Sequence, residues 1–180
     1  MSNIKAWHFT GSTLRDGSPI PADGEWIEHD DEIEMCKSGF HASKNIMDAL
    51  SYAPGSTICR VQVAGEIILG NDKLVASKRK ILWRVDGEEI LFKASRLFAL
   101  DVAHLWDMPP VVREFLETGN QKLRAASNAA SWDASNAASN AASWAASNAA
   151  SNAAFWAASN AASKKKQDKI LRRLIRDTRS

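Results

Sequence analysis

The first half of the chain alternates apolar and polar positions in a way that predicts a β-sheet. Residues 4–10 alternate loosely and predict a first strand, and residues 25–35 alternate acids with apolar side chains, which indicates an exposed strand pair. Residues 56–69 and 74–85 are rich in β-branched and apolar residues and predict two longer strands. The Gly70-Asn71-Asp72 segment between them is typical of a hairpin turn.

Segments with apolar residues at helical spacing lie between these strands and after them. Residues 43–53 predict a short helix with Ser43 as its N-cap. Residues 88–106 and 109–116 place apolar side chains at helical intervals, and Gly119 is the expected end of the second of these helices. Strands and helices in this order predict an α+β fold.

A four-residue repeat of Ala, Ser and Asn starts at Ala125 and continues to Ser163. About half of its residues are alanine, and Gly and Pro are absent from it, so helix is favoured. Trp132, Trp144 and Trp156 are twelve residues apart, which is about 120° of rotation on a helix. One straight helix would direct them to three sides, so we expect short helices that break and fold back. A right-handed supercoil, self-association and a disordered linker are the alternatives.

The segment after the repeat predicts a short basic amphipathic helix. Four aliphatic residues share one of its faces: Ile170, Leu171, Leu174 and Ile175. Such a helix either closes the repeat or contacts nucleic acid or another anionic surface. The candidate anion contacts are Lys164, Lys165, Lys166, Arg172, Arg173 and Arg176.

These patterns divide the chain into an α+β domain (1–120), an all-α Ala-rich helical repeat (121–163) and the basic helix (164–180). The formal net charge is +2, but the basic helix alone contains eight Lys or Arg and two Asp, so the rest of the chain is mildly acidic. No apolar run is long enough to cross a membrane, no apolar leader is evident, and two cysteines are too few for a disulfide framework. We therefore expect a cytoplasmic protein with reduced thiols and no membrane partner.

Common catalytic and metal-binding motifs are absent from the sequence. It contains no GxSxG, Walker A or GxGxxG motif, which argues against common hydrolase, kinase and dinucleotide-binding chemistry. The four histidines and two cysteines lack paired CxxC or HxxxH spacing, so we expect no metal site.

Three motifs of the α+β domain occur together: Cys36-Lys37-Ser38-Gly39-Phe40-His41, Ala49-Leu50-Ser51-Tyr52 and Ile81-Leu82-Trp83-Arg84-Val85-Asp86. The chain resembles an uncharacterised domain family of tailed-phage and prophage proteins that carries such motifs and often ends in Ala-rich, Trp-bearing repeats. The resemblance implies a phage-derived protein in the cytosol of a host cell, where phage proteins of this size often act on host defence.

A second set of residues comprises His8-Phe9-Thr10 on the first strand, Gly39-Phe40-His41-Ala42 and Tyr52. Over about residues 4–68 this set resembles the ADP-ribosyltransferase fold, in which such residues hold the ribose and the nicotinamide ring. The resemblance implies that the ligand is NAD or an ADP-ribose-type nucleotide. The ligand-binding residues that it implies are His8, Thr10, His41 and Tyr52.

We expect a binding protein more than an enzyme. In an enzyme of this resemblance Glu88 or Glu89 would supply the catalytic carboxylate, yet both start a predicted helix. The α+β domain would capture a nucleotide-like small molecule or a host factor. The repeat would form a homo-oligomer or contact a partner. The residues alone assign no cofactor, and only the resemblance implies NAD or an ADP-ribose-type nucleotide. An ADP-ribosyltransferase-like enzyme and a virion assembly protein are the alternatives. His8, His41 and Tyr52 would then be either site residues or structural residues of a small sheet.

Overall fold

The structure is a computed structural model that describes residues 3–14, 17–101, 103–105, 107–131 and 153–179. The chain forms two compact units. We call Met1–Leu91 together with Asp168–Ser180 the N-terminal unit, and Phe92–Gln167 the second unit.

An antiparallel five-stranded sheet forms the N-terminal unit. Its strands are β1 (Ile4–Thr10), β2 (Trp26–Glu28), β3 (Phe40–Ala42), β4 (Thr57–Leu69) and β5 (Leu74–Asp86). The order is β1-β4-β5-β2, and β3 pairs with β5 beside this path. The helices are α1 (Ile46–Leu50), α2 (Glu88–Asp101), α3 (Pro110–Thr118) and α4 (Ala153–Arg179), of which α2 and α4 each continue from one unit into the other.

The β4–β5 hairpin is the framework of the sheet. Its turn is closed by the Gly70 N–H, which donates to the Lys73 carbonyl over 2.8 Å, as the turn prediction requires. Two register shifts interrupt β4, one after Arg60 and one after Ala64, and such bulges bend a strand. Beyond β3, Ser43 and Trp7 exchange backbone hydrogen bonds of 2.7 and 2.9 Å. One cluster of buried apolar side chains in this unit contains Ala6, Ala42, Cys59, Val61, Val63, Leu74, Ala76 and Ile81.

The last turns of α4 belong to the N-terminal unit. Leu171, Leu174 and Ile175 are buried there, as expected for the apolar face of an amphipathic helix. The helix runs without a break from Ala153, so the predicted boundary between repeat and basic helix lies inside one helix. Trp132 and Trp144 fall outside the described residues, and the folding back of the repeat stays a prediction.

The α+β character of the N-terminal part is confirmed, as are β1 and the hairpin. The end of α3 is confirmed as well, because Gly119 has a φ of 71° and its N–H donates to the Phe115 carbonyl over 2.7 Å. Residues 103–105 form a 3-10 turn, so the single α-helix predicted over 88–106 was wrong at its end.

Two further predictions were wrong. Ser43 does not cap α1, since its backbone pairs with Trp7 and it is 2% exposed; α1 starts at Ile46, and Asn45 accepts the Met47 N–H as the N-cap. Residues 25–35 contain one strand, β2, which pairs with β5 and not with a neighbour from the same segment. Across the part of the chain that the structure describes, no helix is both long and apolar enough to span a membrane.

Candidate functional site

A small cleft lies where β1, β3 and α1 of the N-terminal unit meet. It has a volume of about 100 Å³ and is lined by His8, His41 and Tyr52 together with apolar residues of the same elements. Three of the four ligand residues predicted from the sequence are thus brought together. The fourth, Thr10, is 2% exposed and is not among the lining residues.

Both ring nitrogens of His41 have partners within the protein. The Cys36 N–H donates to Nε2 over 2.8 Å, so the ring proton is on Nδ1, which lies 3.2 Å from the Gly39 carbonyl and donates to it. Cys36 itself has a φ of 68°, an uncommon conformation for a residue with a side chain. His41 therefore holds the turn before β3, and its ring can offer a ligand mainly its carbon surface.

Tyr52 stands at the mouth of the cleft and is 52% exposed. Its hydroxyl donates to Asp72 over 2.5 Å, and the Lys73 ammonium lies 4.2 Å from its ring centroid. The hydrogen bond to the Asp72 carboxylate raises the pKa of Tyr52, so the phenol stays protonated. One face of the ring is thus already covered by a cation.

Two ionisable side chains, His8 and Arg79, lie in the interior beside this cleft. Burial lowers the pKa of His8 well below its usual 6.5, and the positive charge of Arg79 lowers it further, so the imidazole is neutral at pH 7. Arg79 is 4% exposed, and burial lowers its pKa to about 10. Its Nη1 donates to the His41 carbonyl over 3.2 Å, and no carboxylate of the described residues forms an ion pair with it.

The size of the cleft limits what it can hold. A cavity of about 100 Å³ is well below the roughly 300–1,000 Å³ of sites for drug-sized ligands. The cleft can take one small polar group, and a whole nucleotide needs more room.

A larger cavity lies between the sheet and the last turns of α4, inside the N-terminal unit. We call it the Trp/Arg groove; its volume is about 430 Å³, and its lining residues are Trp7, Trp83, Arg172, Ile175, Arg176 and Arg179. This volume is within the range of sites that bind small molecules. Arg172 and Arg176 were predicted as anion contacts, and the structure places both beside two indole rings.

The aromatic and cationic groups of the groove contact one another closely. The Trp7 and Trp83 rings meet edge to face, with centroids 5.8 Å apart and planes at 81°. The Arg179 guanidinium lies 3.7 Å from the Trp83 centroid, and Arg172 lies 5.4 Å from that of Trp7. Arg60 of β4 lies 4.6 Å from the Trp7 centroid as well.

Positive charge is in excess around the groove. Asp168 binds Arg172, with Nε 2.8 Å from Oδ2. Burial lowers the pKa of Arg60, and the charge of Arg172 lowers it further, which shows that the two cations repel each other. The buried Nη1 of Arg60 has no hydrogen-bond partner in the described structure.

The other predicted anion contacts lie elsewhere. Arg173 is exposed on α4 and is not a lining residue of the groove. Lys164, Lys165 and Lys166 belong to the second unit, where Lys166 forms an ion pair with Asp101. The predicted anion-binding set is thus divided between the two units.

The predicted catalytic carboxylates do not face either cavity. Glu88 and Glu89 are exposed in the first turn of α2, and neither lines the cleft or the groove. Among the described residues no group of three or more His, Cys, Asp or Glu could hold a metal ion.

Sequence reasoning missed Trp7, Trp83, Arg60 and Arg179 as site residues. A signal for part of this set is present, because Arg172, Arg176 and Arg179 are spaced four and then three residues apart, which places them on one side of a helix. No local signal links them to Trp7 or Trp83.

The strands and helices of the N-terminal unit define an α+β domain built on an antiparallel sheet. Residues 4–93 match the family model described as Domain of unknown function (DUF7666), which is half of the chain, and the protein belongs to this family. Searches of curated proteins and of solved structures found no match. The matched segment contains the sheet, Trp7 and Trp83, whereas the arginines of α4 lie outside it.

Proposed function

We propose that the N-terminal unit captures a nucleotide-like anion in the Trp/Arg groove. The observation that carries this proposal is the meeting of two indole rings and three guanidinium groups in one cavity of about 430 Å³. Indole faces stack on nucleobases, and guanidinium groups bind phosphate in a bidentate way. The small cleft at His8 and Tyr52 is the less suitable site because of its volume.

The chemistry of the groove supports capture rather than turnover. Its described lining residues are tryptophan, arginine and isoleucine, and these side chains do not act as a general acid or base at neutral pH. Glu88 and Glu89 lie outside both cavities, which favours binding over transfer of ADP-ribose. The host factor, the phage origin, the role in virion assembly and self-association through the repeat stay predictions from the sequence.

The test is isothermal titration calorimetry of the full chain with ATP, ADP-ribose and NAD. We expect saturable binding of at least one of them, with a melting temperature that rises in its presence because the ligand binds the folded state. Absence of binding by all three would contradict the proposal and would leave the arginines as groups that only hold α4 against the sheet.

A pair of tryptophan variants locates the site. Trp83→Leu should weaken binding about tenfold or more, since stacking of a base on an aromatic ring contributes about 1–3 kcal/mol. Trp26→Leu is the control, because Trp26 is 38% exposed, contacts Lys80 in the same way and lies outside the groove. If the Trp83→Leu variant binds the ligand as tightly as the wild-type protein does, the ligand binds outside the Trp/Arg groove.

A further inference from the structure

The Trp/Arg groove contains more positive charge than one phosphate group would balance. Arg172, Arg176 and Arg179 line it, and the Arg60 guanidinium lies 4.6 Å from the Trp7 ring centroid. Asp168 is the one carboxylate of the described residues that forms an ion pair with any of these four. Three guanidinium groups therefore have no acidic partner within the described structure.

Three of these four cations lie over the indole rings, and the fourth, Arg176, does not. Arg179 stacks on Trp83, whereas Arg176 lines the cavity with no ring contact or ion pair given by the described residues. Arg60 and Arg172 lie near the same Trp7 ring, at 4.6 and 5.4 Å from its centroid, and they repel each other. An anion between them would reduce that repulsion, and Arg176 in the same groove offers a further cation for a second anionic group.

Resting on the proposed function, we infer that the groove selects a ring-bearing ligand with at least two phosphate groups, such as a nucleoside diphosphate or triphosphate. One phosphate can form bidentate hydrogen bonds with one or two guanidinium groups, and the remaining cations stay unbalanced. Each added phosphate therefore gains charge-assisted hydrogen bonds that a monophosphate cannot form. A nucleoside without phosphate would keep only the contacts of its ring.

The experiment is a calorimetric series on the full chain with adenosine, AMP, ADP and ATP, at one ionic strength and without divalent cations. We expect the dissociation constant to fall about tenfold from AMP to ADP, as one charge-assisted hydrogen bond predicts, and not to rise from ADP to ATP. Equal affinity for AMP, ADP and ATP would overturn this inference and leave the proposed function intact. Failure of all four ligands to bind would instead overturn the proposed function itself.

Two arginine variants on α4 distinguish direct contact with the ligand from the effect of the overall charge of the helix. Arg176→Gln should reduce the ratio of ADP affinity to AMP affinity about tenfold. Arg173→Gln removes the same charge from an exposed position outside the groove and should change the ratio less than about twofold. An equal reduction by both variants would overturn the inference, because the selectivity would then arise from the general charge of α4.

Inorganic triphosphate is the probe that tests the need for a ring. We expect it to bind at least tenfold more weakly than ATP, because it cannot stack on Trp83. If it binds as tightly as ATP, the groove is a polyanion site and the inference of a ring-bearing ligand is overturned.

Discussion

The interior of the N-terminal unit contains the charged side chain of Arg79 and the neutral polar side chain of His8. Arg79 has its hydrogen bond to the His41 carbonyl and a ring contact with Phe40, 5.1 Å from the centroid, in place of an acidic partner among the described residues. Burial and the nearby positive charge both oppose protonation of His8. The folded state therefore resists taking up a proton that the unfolded chain accepts.

We expect the free energy of unfolding to fall as the pH is lowered from 7 to 5. In the unfolded chain His8 takes up a proton near pH 6.5, whereas in the folded state its pKa is far lower, so acid favours unfolding in the interval between the two values. One such group contributes up to about 1.4 kcal/mol per pH unit. Urea denaturation at several pH values measures this slope.

The control for this slope is a histidine on the surface. His8→Gln should reduce the slope by about the contribution of one proton, and His104→Gln, at an exposed position, should leave it unchanged. A slope that is the same in wild type and His8→Gln would show that another group is responsible. The sequence identifies His8 as a candidate residue, but its lowered pKa comes first from burial in the folded unit and then from Arg79, a residue 71 positions away.

Among the elements, the turn that precedes β3 is the most tightly constrained. Gly39 has a φ of 96°, and a Cβ at this position would lie 2.7 Å from Val75 Cγ2 and 2.9 Å from Ile33 Cγ2. His41 and Cys36 close the same turn through their hydrogen bond. The Cys36-to-His41 motif is thus explained by the geometry of a turn that brings β3 to β5.

Gly39→Ala should destabilise the fold by about 2–4 kcal/mol, because it combines backbone strain with crowding in the core. Gly24→Ala is the matched control: Gly24 has a similar φ of 87° and no atom within 4 Å of the added Cβ. Gly24→Ala should lower the free energy of unfolding only by the cost of backbone strain, about 1 kcal/mol. Urea denaturation of both variants measures the difference, and equal losses would contradict the packing argument.

Elements with local signals were predictable from the sequence, and elements with distant partners were not. Residues 4–10 and the β4–β5 hairpin follow from alternation and a glycine-led turn, and Gly119 ends α3 as expected. Ser43 looked like an N-cap because it precedes an apolar segment, but the backbone of Trp7 pairs with it. The pairing of β3 with the start of β5 could not be predicted, because it joins segments that are about 34 residues apart.

At the scale of the whole molecule, residues from both ends of the chain build the N-terminal unit. Leu171 is fully buried, and Leu174 and Ile175 are nearly so. The Trp/Arg groove has the same composite origin, since Trp7 and Trp83 come from strands and the lining arginines from α4. The sequence showed both the basic helix and the tryptophans, but composition and periodicity carry no information on which distant segments meet.

Leu171→Ala should destabilise the N-terminal unit by about 2–5 kcal/mol, since it leaves a cavity in a buried position. Lys169→Ala, at an exposed position two residues away on the same helix, should change stability by less than about 0.5 kcal/mol. Thermal unfolding followed by near-ultraviolet circular dichroism measures both. A Leu171→Ala variant as stable as wild type would show that α4 adds little to this unit.

The position of α4 determines when the N-terminal unit can be completed during protein synthesis. The ribosome makes the strands first, and Asp168–Ser180 follow only after the 76 residues of the second unit have been translated. Until then the sheet lacks Leu171, Leu174 and Ile175, so the apolar surface that they cover is open to solvent and to other chains. The groove therefore cannot exist before Arg172, Arg176 and Arg179 have been made, however early the strands pair.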